Sequence, residues 1–167
     1  IPIMEAHGLH AADFISTNTL YEKGSEEKEN NEKHHKLLII EDNRELRQLL
    51  AEVFSSLYNV ETAENGVKGY ETALSALPDI IISDVVMPEM SGTELCQKLK
   101  NNIKTSHIPV ILLTSQTASE YIIEGLKIGA DDYICKPFSV EQLIARCNNL
   151  INLRKALQRK YAKESGS

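Results

Sequence analysis

No stretch of this 167-residue chain is apolar for long enough to span a bilayer, and the N-terminus lacks the arrangement of a secretory signal. Cysteine is scarce. Cys96, Cys135 and Cys147 sit inside apolar-periodic segments without metal-type spacing, which implies no zinc site and predicts buried thiols in a reducing compartment. A Gly-rich dinucleotide fingerprint is missing as well. Positive charge is in deficit: 18 Lys and Arg against 24 Asp and Glu leave a formal −6, which argues against broad nucleic-acid binding by the whole chain. What remains is the composition of a soluble, cytoplasmic domain with length for one sizeable core. The sequence begins at Ile1, which leads us to expect a piece of something longer.

Residues 1–35 show no sustained period, and Glu22 to Lys33 is a charge run broken by Gly24-Ser25 and Asn30-Asn31. So little apolar surface cannot offset chain ordering, and the segment reads as a flexible charged linker. His34-His35 has no further ligand nearby and belongs to it. From Lys36 onward, short Ile/Leu/Val runs alternate with segments of helical period, the signature of βα units around a parallel sheet. Five strand–helix pairs predict an α/β fold, a (βα)5 domain over residues 36–153.

The helical stripes are Leu46, Leu49, Leu50, Val53, Phe54 and Leu57, then Val67, Tyr70, Ala73, Leu74 and Leu77 ended by Pro78. A third begins after Gly92, a fourth carries Ile122 and Leu126 and stops near Gly129, and a fifth starts at Ser139 as N-cap. Leu153, Leu157 and Tyr161 continue the last stripe amid Arg154, Lys155, Arg159, Lys160 and Lys163, so residues 154–167 read as a basic helical extension and tail.

Four strands end in polar groups: Leu37 to Ile40 in Glu41-Asp42, Ile80 to Ser83 in Asp84, Val110 to Leu113 in Thr114, and Tyr133 to Cys135 in Lys136. In an open α/β sheet ligands bind at the carboxyl ends of the strands, which places all five residues at one edge. Like carboxylates ~4 Å apart repel by about 4 kcal/mol at an effective dielectric near ~20, and a divalent cation relieves that. Oxygen ligands without His or Cys favour Mg²⁺ or Mn²⁺. Lys136 supplies a fixed positive charge for an anion, and the Thr114 hydroxyl can donate to a phosphoryl oxygen. Together they describe an aspartyl-phosphate site in which Asp84, standing alone, is the nucleophile and Glu41 and Asp42 hold metal.

At this point residues from about Lys36 to Leu153 resemble the receiver domain of two-component response regulators. The motifs are Leu-Ile-Ile-Glu41-Asp42-Asn, Asp84-Val-Val-Met-Pro-Glu-Met-Ser-Gly92, Thr114-Ser115, Gly129-Ala-Asp-Asp-Tyr133 and Lys136-Pro137-Phe138. The resemblance implies a doubly wound, flavodoxin-like sheet of order 2-1-3-4-5 and phosphorylation of Asp84 by the phosphohistidine of a histidine kinase. It implies Mg²⁺ on Asp42, Asp84 and the Val86 backbone carbonyl, with Glu41 acting through water. It further implies a Lys136 contact to the phosphoryl group, a cis Lys136-Pro137 bond, and a switch in which Thr114 and Tyr133 move. That switch reshapes the face of helix four, strand five and helix five, where Tyr121, Ile122, Ile123 and Lys127 offer an output surface and a second receiver can pair. Neither nucleic acid nor membrane contact is expected of this segment.

A flavodoxin-like electron carrier is the remote alternative, because the acidic turn Glu41-Asp42-Asn43-Arg44 would repel a cofactor phosphate. A haloacid-dehalogenase phosphatase usually carries a second acid two residues past its nucleophile, where this chain has Val86. Nothing supports turnover of an external metabolite. The charged linker and the basic tail resemble a receiver from a hybrid sensor histidine kinase with a transcriptional output, its parent anchored in the inner membrane or not; a free-standing response regulator is the alternative.

Overall fold

A computed structural model of the chain describes residues 34–115 and 129–165. Strands β1 (Lys36–Ile40), β2 (Asn59–Ala63), β3 (Ile80–Asp84), β4 (Val110–Thr114) and β5 (Asp132–Cys135) form one parallel sheet in the order β2-β1-β3-β4-β5. Helices α1 (Arg44–Phe54), α2 (Gly66–Ala76) and α3 (Gly92–Asn101) alternate with the first four strands, and a C-terminal helix spans Val140–Ser165. The expected sheet order is therefore the observed one.

Alternate residues of each strand point to opposite faces, and both faces are covered. Leu37, Ile39, Ile80, Ile82, Ile111 and Leu113 pack with Leu46, Leu50 and Phe54 of α1 and with Leu143, Cys147 and Ile151 of the C-terminal helix. Leu38, Ile40, Ile81, Val110 and Leu112 pack on the other side with Ala73 of α2 and Leu95, Cys96 and Leu99 of α3. Two-sided burial is why the β1, β3 and β4 runs are apolar without interruption. The edge strand β2 is mostly exposed and correspondingly polar.

Local chemistry sets the element boundaries. Asn43, Asn65 and Ser91 cap α1, α2 and α3 by accepting the amides of Leu46, Lys68 and Glu94. Ser139 accepts the Gln142 amide at the start of the C-terminal helix. Pro78 disfavours a right-handed helical conformation at Leu77, which adopts φ 47° while its amide still donates to the Ala73 carbonyl. Gly129 has φ 89°, the left-handed conformation expected of it. The fourth helix expected to precede it lies outside the described residues, as do Tyr121, Ile122, Ile123 and Lys127.

Several expectations about packing need correction. The inner side of α2 is Gly66, Gly69 and Ala73, whereas Val67 and Leu77 are exposed. Close approach explains this: a Cβ on Gly69 would lie 2.6 Å from Ile40 Cδ1. Leu57, expected on the buried stripe, is exposed, and the neighbouring Tyr58 packs in the core instead. Cys135 is only half-buried. By contrast, the C-terminal helix continues past residue 153 in the sense of the expected helical extension, with Leu153, Leu157 and Tyr161 exposed along it.

At the amino edge of the sheet, one residue joins the flanks of the domain. Asp79 accepts the Lys36 amide on its carboxylate at 2.8 Å and the Arg154 guanidinium on its carbonyl at 3.1 Å, and its own amide donates to the Lys36 carbonyl.

The glycine face of α2 gives a direct test. Gly69→Leu overpacks the Ile40 contact and is expected to lower the unfolding free energy by about 1–3 kcal/mol, whereas Val67→Ala on the exposed side should change it by less than about 0.5 kcal/mol. Urea unfolding of both variants measures this, and equal effects would contradict the assigned face.

Candidate functional site

All five strands run in the same direction, so their carboxyl ends share one edge. The register pairs Ile40 with Ser83, Asp84 with Leu113 and Thr114 with Cys135. The next residue along each strand is therefore Glu41 beside Asp84, Thr114 beyond the Asp84 partner, and Lys136 beyond Cys135. Glu41, Asp42 and Asp84 each present a carboxylate oxygen within 4.8 Å of the others. Lys136 Nζ lies 3.1 Å from Asp84 Oδ1 and 3.8 Å from Glu41 Oε2.

Burial makes this cluster electrostatically tense. Glu41 is 2% exposed and Asp84 7%, while Asp42 sits at the rim in solvent. Desolvation, reinforced by the Asp84 carboxylate, pushes the Glu41 carboxyl up from an ordinary 4.5 to about 8. Burial likewise raises Asp84, although Lys136 pulls it back by charge and hydrogen bonding. For Lys136 burial acts downward, but Glu41 and Asp84 outweigh it and hold its pKa above the ordinary lysine value. Glu41 Oε2 is buried without a hydrogen-bond partner among the described residues. A buried carboxylate oxygen in that state calls for a cation or a proton.

The loop after β3 is shaped around Asp84. The Val85 amide donates to the Leu113 carbonyl at 2.9 Å, and the Gly92 amide donates to the Val85 carbonyl at 2.7 Å. A Cβ on Gly92 would lie 2.1 Å from the Asp84 carbonyl oxygen, so no other residue fits there without moving the strand end. Glu89 takes φ 69°, and the Met90 side chain fills the space left by Gly66. Val86 stands in this loop with its side chain partly exposed.

Thr114 is buried at the end of β4, and its carbonyl accepts the Lys136 amide at 2.6 Å. The Lys136-Pro137 bond is cis. Tyr133 is half-buried opposite Leu112 in β5, apart from the carboxylate cluster. Glu41, Asp42, Asp84 and Lys136 are thus drawn into one pocket, Thr114 adjoins it, and Tyr133 stands back along β5.

Sequence reasoning passed over Arg47. Its Nη1 donates to the Glu41 carbonyl at 2.7 Å and reaches the Asp42 carbonyl at 3.4 Å. Its position four residues after the Asn43 cap, one helical turn back over the acidic pair, was the available signal.

A doubly wound parallel domain with three carboxylates and a lysine at its carboxyl edge defines the class. The response regulator receiver domain matches residues 37–148, and the chain belongs to that family of two-component signal transduction. Histidine kinase P4 of Formosa agariphila is 48% identical over 126 residues, 75% of this chain and 9% of its own length. Hybrid signal transduction histidine kinase D of Dictyostelium discoideum is 39% identical over 153 residues, 90% of this chain and 10% of its own. The chain therefore spans about a tenth of either relative.

Among solved structures, chemotaxis response regulator CheY4 of Vibrio cholerae superposes with a TM-score of 0.66 at 32% identity, over 70% of this chain and 98% of that one. The signal receiver domain of a histidine kinase from Syntrophus aciditrophicus gives 0.66 at 35% identity, over 71% and 90%. No described helix is long and apolar enough to cross a membrane.

The raised Glu41 pKa carries a signed expectation. The folded domain retains a proton that the unfolded chain releases between about 4.5 and about 8, so stability in chelator should be fullest below that window and fall as pH rises through it. Asp84, also raised, acts in the same direction. Urea unfolding across this pH range should show the slope, and Glu41→Gln should flatten it; an unchanged slope in that variant would place its origin elsewhere.

Proposed function

We propose that this receiver accepts a phosphoryl group onto Asp84 from the phosphohistidine of a histidine kinase. The observation that carries the reading is the Lys136 ammonium 3.1 Å from Asp84, both side chains largely buried beside Glu41, with Asp42 at the solvent rim of the same cluster. An Asp84 carboxylate oxygen attacks phosphorus in line, forming the acyl-phosphate P–O bond as the P–N bond to the imidazole breaks, and the freed imidazole takes up a proton. Lys136 neutralises an equatorial phosphoryl oxygen as charge develops there, and the Thr114 hydroxyl donates to another. Such charge stabilisation is strong because Glu41, Asp84 and Thr114 are almost entirely out of water.

The donor set fits a hard divalent cation. Three carboxylates are grouped without a His or Cys, and Glu41 Oε2 is buried without a hydrogen bond, 3.8 Å from Lys136 Nζ. Asp42 and Asp84 would hold Mg²⁺ or Mn²⁺ with the Val86 backbone carbonyl, and Glu41 would act through water. When bound, the ion supplies positive charge against the carboxylates and the phosphoryl oxygens.

Phosphorylation then favours one of two pre-existing arrangements of Thr114 and Tyr133, which biases the surface around β5 and the C-terminal helix. The parent is read as a hybrid kinase, supported by the two kinase relatives, and the basic tail after the domain is the ground for reading a transcriptional output; a kinase domain encoded upstream is the check.

With Mg²⁺ and a small-molecule acyl phosphate, intact-protein mass spectrometry is expected to show a gain of one phosphoryl group that Asp84→Asn abolishes and chelator suppresses. Equal labelling of Asp84→Asn would refute the assignment of the acceptor.

A further inference from the structure

We propose that Arg47 is a positioning residue for the cation pocket, acting through the backbone of the acidic turn without touching the ion. Strand β1 delivers Glu41 to the pocket, and the Glu41 amide is still tied to the sheet through the Ala63 carbonyl at 3.1 Å. Its carbonyl has left the ladder. Arg47 Nη1 supplies the missing donor at 2.7 Å and reaches the next carbonyl, that of Asp42, at 3.4 Å. A peptide unit is planar, so holding two successive carbonyls toward α1 restricts the directions in which the Glu41 and Asp42 side chains leave the backbone. Those are the side chains that meet Asp84 within 4.8 Å.

The other side of the turn is fixed independently. The Asn43 amide lies 3.4 Å from Glu41 Oε1, and the Asn43 side chain caps the Leu46 amide at 3.0 Å. Asn43 therefore anchors the exit of the turn to α1, and Arg47 anchors its two carbonyls. A guanidinium suits this task because its rigid fork offers several donors from one plane, whereas an ammonium is a point donor on a flexible stem. Arg47 also lines an open groove of about 450 Å³ together with Arg44, Gln48, Thr62 and Glu64. Arg44 shares that groove, and only Arg47 bonds the carbonyls of the acidic turn among the described residues. The pair of arginines thus separates a groove role from a positioning role.

The inference rests on the divalent-cation reading above and predicts a change in affinity. Partners behind a metal ligand typically change affinity by about 10–100-fold when removed. Mn²⁺ binding to the full 167-residue chain, followed by electron paramagnetic resonance and alongside urea unfolding, is the experiment. Arg47→Met is expected to raise the Mn²⁺ Kd about tenfold, Arg47→Lys to recover part of it and lie about threefold above the unsubstituted protein, and Arg44→Gln to stay within about twofold.

A purely structural role would lower the urea midpoint of Arg47→Met while the folded protein kept its Kd, and that result would overturn the proposal. Should Arg47→Met not fold, Arg47→Lys carries the test, and a Kd equal to that of the unsubstituted protein would overturn it. Absence of Mn²⁺ binding by the unsubstituted protein would overturn the cation reading and this inference together; binding that is indifferent to Arg47 overturns the inference alone.

Discussion

Both faces of the central sheet are sealed by helices, and that constraint governs everything else in the domain. Within β1, β3 and β4, a polar side chain would have to be buried away from water, so residues 37–40, 80–82 and 110–113 are uniformly apolar. Polar chemistry can enter only where the strands run out. Parallel strand direction then collects those ends on a single edge. Glu41, Asp84, Thr114 and Lys136 meet because topology leaves them no other common place, and each adjoins its neighbour by register.

The pocket is correspondingly tense. Two carboxylates are held nearly dry beside one lysine, which pairs closely with Asp84 and more distantly with Glu41. Negative charge exceeds positive at the centre, and a proton on Glu41 or an added cation relieves the excess. This asymmetry fits the receiver family to which the chain belongs. A pocket satisfied in advance would have little differential affinity for the charges that arrive with a phosphoryl donor.

The sheet and its order were legible because uninterrupted runs such as Leu37 to Ile40 and Val110 to Leu113 report burial on both faces, and because the strand-end motifs matched one family. The sequence also marked the residues that converge at the edge. It could not show how deeply Glu41 is enclosed, since burial depends on the helices packed beside it. The inner face of α2 was misjudged for a related reason. Apolar periodicity selects Val67 and Leu77, but the helix meets Ile40 and Met90 through Gly66 and Gly69, where close backbone approach matters more than side-chain hydrophobicity. Arg47 was harder to see because its partners are carbonyls, which every residue carries, so that only its place one helical turn past the Asn43 cap pointed to the acidic turn.

Asp79 has a mechanical meaning. It ties Lys36, where the domain begins, to Arg154 on the helix that leaves it, while Asn59 holds His34 and His35 beside it, so both flanks depart from the amino edge of the sheet. The carboxylate pocket lies at the opposite edge, a full strand length away. Attachment points held side by side are the geometry in which a domain can be inserted into a longer polypeptide.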